Sequence, residues 1–142
     1  MTPPRFLVRL ATGAALTLLA ACGSDETQAT DDHTPVSYTV LIDDAPVTAP
    51  FALTAGETVR VRLKFVNAAG ENLDDVEASH FAGLTFAPTS LATATRVTDH
   101  HFQFDVTGGE PGTGSVTVSY GHDEAADEHT FQAAGISVAA AP

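Results

Sequence analysis

Apolar and polar residues alternate along much of the chain, and short turn sequences interrupt the alternation. The clearest run is 59–65, where apolar side chains share one face and basic side chains share the other. Strict alternation of this kind predicts a β-strand with one face in a core and one face in water. The basic face consists of Arg60, Arg62 and Lys64. We interpret it as a solvated face, and a partner-docking face is the alternative.

Further segments rich in β-branched and aromatic residues end at turn residues, as strands do. They are residues 36–42, 80–87, 91–98, 101–107, 115–121 and 129–140, with a short extended piece at 50–53 and an irregularity expected at Gly135. Residues 73–79 predict a loop or a short edge strand, and no segment has helical periodicity. Seven or eight short strands separated by Gly- and Pro-containing turns predict an all-β protein, an antiparallel β-sandwich.

The three strands between residues 99 and 131 also suggest a register. If Val106 pairs with Val116 and Tyr120 pairs with Phe131, apolar residues face apolar residues along both pairs. A slip of one residue would turn every side chain to the wrong face. The pattern therefore predicts two consecutive hairpins with this register.

This register predicts a row of three histidines, His100, His122 and His129, at one end of the sheet. Facing Cβ atoms of antiparallel strands lie about 4.5–5.5 Å apart. From there, imidazole nitrogens can reach one ion, with bonds of about 2.0–2.1 Å for zinc. His80 has the inward parity of its strand and is a candidate fourth ligand, whereas His101 points to the opposite face. The alternative is that these histidines cap the core.

Four acidic residues lie close to this row in sequence: Asp99, Asp123, Asp127 and Glu128. We expect them to hold imidazole N–H groups from outside the ligand set, or to supply one further ligand. Imidazole and carboxylate ligands suit zinc, copper(II) or nickel. The acidic loop lacks the spacing of an EF-hand, so calcium ranks lower.

The N-terminal segment has a different composition. Arg5 and Arg9 precede an apolar run over 10–21 that is too short to span a bilayer. The run ends in Leu19-Ala20-Ala21-Cys22, which resembles the lipobox of bacterial lipoproteins. The resemblance implies cleavage before Cys22, a lipid on its thiol, and a membrane anchor for the mature chain.

Three regions follow from this reading: a signal peptide at 1–21, a lipidated cysteine with a flexible tether at 22–35, and one domain at 36–142. Without its leader the chain would keep four basic and 18 acidic residues, a net charge of −14. That charge argues against nucleic acid as a partner. Gly23, rather than aspartate, follows the cysteine, and this favours the outer membrane, facing the periplasm or the cell surface.

Three stretches carry a second resemblance: LTAGETVRVRLKFVNAAGE, LATATRV and DVTGGEPGTGSVTVSY. Together they resemble bacterial immunoglobulin-like domains over about residues 50–140. The resemblance implies an immunoglobulin-like sandwich that serves as an adhesive, spacer or interaction module. The chain departs from that pattern at residues 80–83, where His-Phe-Ala-Gly replaces an aromatic-Ser-Ser-Asp run, and in its histidine-rich end.

The sequence contains no nucleophile elbow, phosphate-binding glycine loop or HExxH helix, so we expect no enzyme. Two functions remain. The first is an envelope lipoprotein that binds a divalent transition metal through the histidines, for storage, buffering or delivery. The second is a non-catalytic spacer, adhesion or interaction module with an envelope protein as partner and no ligand.

Overall fold

The structure, a computed structural model, describes residues 33–73, 75 and 79–142. Cys22, the predicted signal peptide and most of the predicted tether lie outside the described residues. Within the described ranges every helix or strand is a β-strand, so the all-β prediction is confirmed. The same residues contain no helix long and apolar enough to cross a bilayer.

The strands form two five-stranded sheets that pack face to face as an immunoglobulin-like β-sandwich. The first sheet contains β1 (Pro35–Ile42), β2 (Ala45–Val47), β4 (Thr58–Asn67), β6 (Ala92–Arg96) and β7 (Gln103–Gly108), in the order β2-β1-β4-β7-β6. The second contains β3 (Phe51–Thr54), β5 (Phe81–Ala87), β8 (Gly112–Gly121), β9 (His129–Thr130) and β10 (Ala134–Ala139), in the order β3-β10-β8-β5, with β9 beside β8. Pairs between described strands are antiparallel as predicted, except for β3 and β10, which are parallel.

The alternating strand β4 lies in the middle of the first sheet and supplies part of the core. Val61, Leu63 and Phe65 are buried, as their parity predicts. The Phe65 ring lies 4.9 Å from the ring of Phe102 and 5.4 Å from that of Tyr120, measured between centres. This aromatic cluster fills the end of the sandwich where the histidines are found.

The predicted hairpin between the strands at 101–107 and 115–121 is wrong. β7 pairs with β4 and β6, whereas β8 pairs with β5 and β10, so the connection between β7 and β8 crosses from one sheet to the other. Val106 and Val116 are both buried, but they enter the core from opposite sheets. Side-by-side pairing and face-to-face packing satisfy the same apolar alternation, which is why the pattern did not distinguish them.

The last predicted strand is divided, and its predicted register is wrong by two residues. Tyr120 pairs with His129 in β9, not with Phe131. The interruption falls at 131–133, whereas Gly135 lies within β10 opposite Ser115. The slip of two residues preserves parity within β9. β10 is shifted by one further residue, since Ala134 pairs with Val116, and this shift turns Ile136 and Val138 into the core.

Strand β2 is absent from the sequence prediction, which ended the first strand at Asp43 and Asp44. Both residues have positive φ angles, 47° and 67°. Two central residues of this kind form a tight turn that joins antiparallel strands. The chain therefore reverses at these aspartates, and Ala45–Val47 returns along β1.

Candidate functional site

His80 and His122 lie at facing positions just beyond the ends of β5 and β8. Phe81 pairs with Gly121 at the end of this ladder, and continuing the register by one residue sets His80 opposite His122. Their ring centres are 5.3 Å apart, in an edge-to-face arrangement. His80 is buried, with 2% of its surface exposed, whereas about half of the His122 side chain is exposed.

His33 lies on the other side of His80, with ring centres 4.6 Å apart. This histidine falls within the predicted tether, for which the sequence indicates no binding role. It is half-buried and lies two residues before the start of β1. Since nothing in the local sequence relates residue 33 to residue 80, only the fold reveals that these rings are neighbours.

Glu128 binds His122 across the acidic loop. The Nδ1 atom of His122 and the Oε2 atom of Glu128 are 2.6 Å apart. This hydrogen bond lowers the pKa of the Glu128 carboxyl below its ordinary value of 4.5. It also leaves Nε2 of the imidazole as the nitrogen that points away from the carboxylate.

His100 lies away from this group, in the connection between β6 and β7. Its Nδ1 atom is 3.0 Å from Nε2 of Gln103 and 3.4 Å from Oδ2 of Asp75. Gln103 also donates to Asp75 at 3.0 Å. The predicted pairing of His100 with His122 is therefore wrong, because the strands that would have carried it belong to different sheets.

His129 and His101 each contact a phenylalanine. His129 lies opposite Tyr120, and its ring packs edge-on against Phe131 at 4.6 Å between centres. His101 stacks on Phe81 at 4.3 Å with an interplanar angle of 18°. Both rings extend the aromatic packing between strands, and the predicted pairing of His129 with His122 is not formed.

Two of the other predicted acidic residues, Asp99 and Asp123, lie in turns. Oδ1 of Asp123 accepts a hydrogen bond from the backbone N–H of Ala125 at 2.9 Å, which fixes the start of the acidic loop. Asp99 has a positive φ of 62° in the turn before β7, and Asp127 is exposed. Glu128, the fourth predicted acidic residue, bonds His122. Asp75, which the sequence analysis missed, bonds another histidine.

The structure thus brings together two of the four predicted metal ligands, His80 and His122, and separates His100 and His129 from them. As the side chains are placed, the described residues contain no group of three or more His, Cys, Asp or Glu side chains arranged to hold an ion. The predicted three-histidine row depended on a strand pairing that does not occur.

The basic row on β4 faces outward as predicted, and two of its members are neutralised by carboxylates from adjacent segments. Nε of Arg60 lies 2.7 Å from Oδ1 of Asp105 on β7. Arg62 forms an ion pair with Asp44 in the turn between β1 and β2. Lys64 is exposed. Exposed pairs of this kind contribute about 0–1 kcal/mol each, and they reduce the positive character of the row.

The free edge of β5 is the second feature with functional potential. The backbone N–H of Ala82 donates to the carbonyl of His101, and the Ala82 carbonyl accepts from Arg96 at 2.7 Å. Ala82 therefore directs its backbone groups away from β8. Because these directions alternate along a strand, Leu84 and Phe86 also direct theirs away from β8. No described residue bonds those four groups.

No family model matches the sequence, and no curated protein matches it. Among solved structures, the chain is similar to domains 4 and 5 of the S-layer protein SbsC, with 14% sequence identity and a TM-score of 0.48. The match covers 75% of this chain and 54% of that chain. This similarity does not indicate what either protein binds.

Proposed function

We propose that the mature chain is a lipid-anchored protein of the cell envelope whose immunoglobulin-like domain is a non-catalytic interaction module. In this proposal the free edge of β5 binds an extended segment of an envelope protein by strand addition. The observation that supports it is the run of outward backbone groups at Leu84 and Phe86, which no described residue bonds. Main-chain hydrogen bonds to such an edge supply affinity in strand addition.

The length of β5 and the positions of nearby prolines favour β5 over the other edge strands as the place where a partner strand binds. It has seven residues, compared with five in β6, four in β3 and three in β2. Pro46 lies within β2 and Pro50 directly precedes β3, and proline protects an edge because it removes an N–H donor. β5 is the longest of the four edge strands and has no proline before Pro88, and the outward groups of Leu84 and Phe86 lie in its second half.

Charge favours a different protein over a second copy of this chain. The mature domain and tether would carry a net charge of −14, and two such chains repel each other. A neutral or basic extended segment meets no such repulsion. We therefore specify the partner as a neutral or basic segment of another envelope protein.

Site-specific photo-crosslinking in cells tests this proposal. A photoreactive residue replaces exposed Thr85 on β5, or exposed Lys64 on the basic row, in the full chain with its lipobox intact. We expect a discrete adduct from position 85 and none from position 64. Leu84→Pro removes one outward N–H without touching the ladder to β8, so it should abolish the adduct while the protein stays folded.

Three results would contradict the proposal. They are the absence of an adduct at position 85, an adduct confined to position 64, and an adduct that contains only a second copy of this chain. The anchor is tested separately with a labelled fatty acid. Wild-type protein should incorporate the label and Cys22→Ser should not, and equal labelling of the two would refute the lipid anchor.

A further inference from the structure

Arg96, the last residue of β6, closes one end of the free edge of β5. Its Nη2 atom donates to the backbone carbonyl of Ala82 at 2.7 Å. The N–H of Ala82 donates to the carbonyl of His101 at 3.1 Å. Because both outward groups of Ala82 are bonded, a strand that pairs with Leu84 and Phe86 cannot continue along β5 past Leu84. The free edge therefore ends at a defined residue, and Arg96 lies at that end.

The guanidinium of Arg96 is held by the residues around it. Nη2 also donates to the backbone carbonyl of Glu124 at 3.3 Å. Cζ lies 5.2 Å from the ring centre of Phe81 and 5.9 Å from that of Phe104, within the range of cation–π contacts. The side chain is half-buried. Its head group is therefore positioned before a partner binds, and binding requires little further ordering of it.

No carboxylate neutralises the charge of Arg96 in the described part of the chain. Arg60 and Arg62 each pair with an aspartate, whereas the hydrogen bonds from Arg96 go to two backbone carbonyls. No described residue accepts from its Nη1, and its Nε is buried without a hydrogen-bond partner. A partly buried guanidinium with unused donors favours a carboxylate ligand, because hydrogen bonds between opposite charges are the strong ones.

We infer that Arg96 binds the C-terminal carboxylate of the extended segment that adds to β5. This inference rests on the proposed strand-binding function and specifies its partner, since the segment is then the C-terminal end of a protein chain. A strand on this edge has to stop after Leu84, and a chain terminus stops there without a turn. The terminal carboxylate supplies the negative charge that the surroundings of Arg96 lack.

The position of Arg96 also sets the direction of the partner strand. β5 runs from Phe81 to Ala87, so Arg96 lies near the N-terminal end of its edge. A segment whose C-terminus reaches Arg96 runs antiparallel to β5. Residues 82 and 84 lie about 7 Å apart along a strand, so the segment should end within about two residues of the one that pairs with Leu84.

The acidic loop next to Arg96 restricts which segments fit. Asp123, Glu124 and Asp127 are exposed in this loop, whose backbone binds Arg96 through the carbonyl of Glu124. Their charges repel further acidic side chains near the end of the partner. The segment should therefore be neutral or basic along its length and carry its carboxylate at the terminus, which agrees with the partner specified above.

The test uses random octapeptides selected on the full chain, immobilised in detergent. One pool has free C-terminal carboxylates, and a matched pool has C-terminal amides. We expect binders from the carboxylate pool, and the amide of each binder should bind about 10–100-fold more weakly, because it lacks the charged hydrogen bonds to Arg96. A paramagnetic label at the N-terminus of a binder should broaden the backbone N–H signal of Ala87 more than that of Ala82.

Arg96→Gln should bind the two forms of each peptide with equal affinity, because it removes the charge that distinguishes them. Arg60→Gln is the matched control, since Arg60 lies on the central strand β4 and is already paired with Asp105. This control should keep the wild-type preference for the carboxylate. Leu84→Pro should abolish the binding of both forms, which shows that the peptides occupy the edge of β5.

The outcomes separate this inference from the function on which it rests. Equal binding of the two forms by wild type, an undiminished preference in Arg96→Gln, or stronger broadening at Ala82 than at Ala87 would overturn the inference. The strand-binding function would survive each of these results as long as Leu84→Pro abolishes binding. If neither pool contains a binder, or if Leu84→Pro binds as wild type does, both the inference and the strand-binding function are overturned.

Discussion

His80 and His122 face each other across the ends of β5 and β8, with ring centres 5.3 Å apart. They are separated by about forty residues in sequence, and they meet because Phe81 pairs with Gly121. The pairing places a buried imidazole next to an exposed one and next to the acidic loop that holds Glu128. The same ladder leaves Leu84 and Phe86, on the opposite edge of β5, with outward backbone groups that no described residue bonds. One strand pairing therefore creates both candidate surfaces of the domain.

The hydrogen bonds between β5 and β8 predict that proline substitutions at adjacent residues of β5 differ in their effect on stability. Leu84 directs its N–H away from β8, whereas Thr85 directs its N–H toward β8, so Thr85→Pro alone removes a ladder hydrogen bond. Leu84 packs against the core and Thr85 is exposed, so each proline variant is compared with the alanine variant at the same position. Relative to alanine, we expect proline at position 85 to destabilise the domain by about 1–3 kcal/mol more than proline at position 84, because it leaves a carbonyl of β8 unpaired. Urea denaturation of the four variants checks this, and equal proline-minus-alanine losses would contradict the assigned direction of β5.

Phe65 should be among the most sensitive core positions. It is fully buried and contacts the rings of Phe102, Tyr120 and Phe131. Phe65→Ala should cost about 3–5 kcal/mol, because it removes the transfer free energy of the ring and leaves a cavity. Lys64→Ala, the adjacent outward position, should stay within about 0.5 kcal/mol of wild type. Comparable losses in the two variants would show that the alternation of β4 has been assigned incorrectly.

Two glycines on β8 provide a second matched pair. A Cβ on Gly114 would overlap the carbonyl oxygen of Ala87 and the side chain of Leu91. A Cβ on Gly112 would meet Leu91 at 3.4 Å, an ordinary contact. We expect Gly114→Ala to lower the free energy of unfolding by about 1–3 kcal/mol, as overpacking does. Gly112→Ala should change it little, and thermal melts that rank the two in reverse order would contradict this packing.

The hydrogen bond from His122 should be visible in the titration of Glu128. Because it lowers the pKa of the Glu128 carboxyl in the folded state, it stabilises the fold above pH 4.5. That contribution is lost as the pH falls through the lowered pKa. Carbon-detected NMR should give a lower midpoint for Glu128 in wild type than in His122→Ala, and identical midpoints would show that the hydrogen bond is absent in solution.

The local sequence predicted the fold class and the faces of individual strands, because both depend on alternation within one segment. The row of apolar residues on β4 became buried as predicted, and its basic residues face outward. Alternation does not specify which strand lies beside which. Val106 and Val116 were assigned to one hairpin and instead approach each other across the core.

The predicted row of three histidines was wrong for the same reason. The principle that histidines meet just beyond paired strand ends was correct for His122, but its partner on the adjacent strand is His80 rather than His100 or His129. Pairing β5 with β8 is a long-range contact with no signal in the intervening sequence. His33 lies outside the segments that the alternation predicts as strands. Its contact with His80 depends on the position of β1 in the sandwich.

Residue-resolved amide hydrogen exchange on the full chain tests the central claim, the free edge of β5, most directly. The amides of Leu84 and Phe86 should exchange quickly and those of Gly83 and Thr85 slowly, because only the latter are bonded to β8. Addition of the partner captured at position 85 should slow exchange at Leu84 and Phe86. Slow exchange at these two amides in the isolated protein would mean that the edge is already covered, and it would contradict the proposal that this edge receives a partner strand.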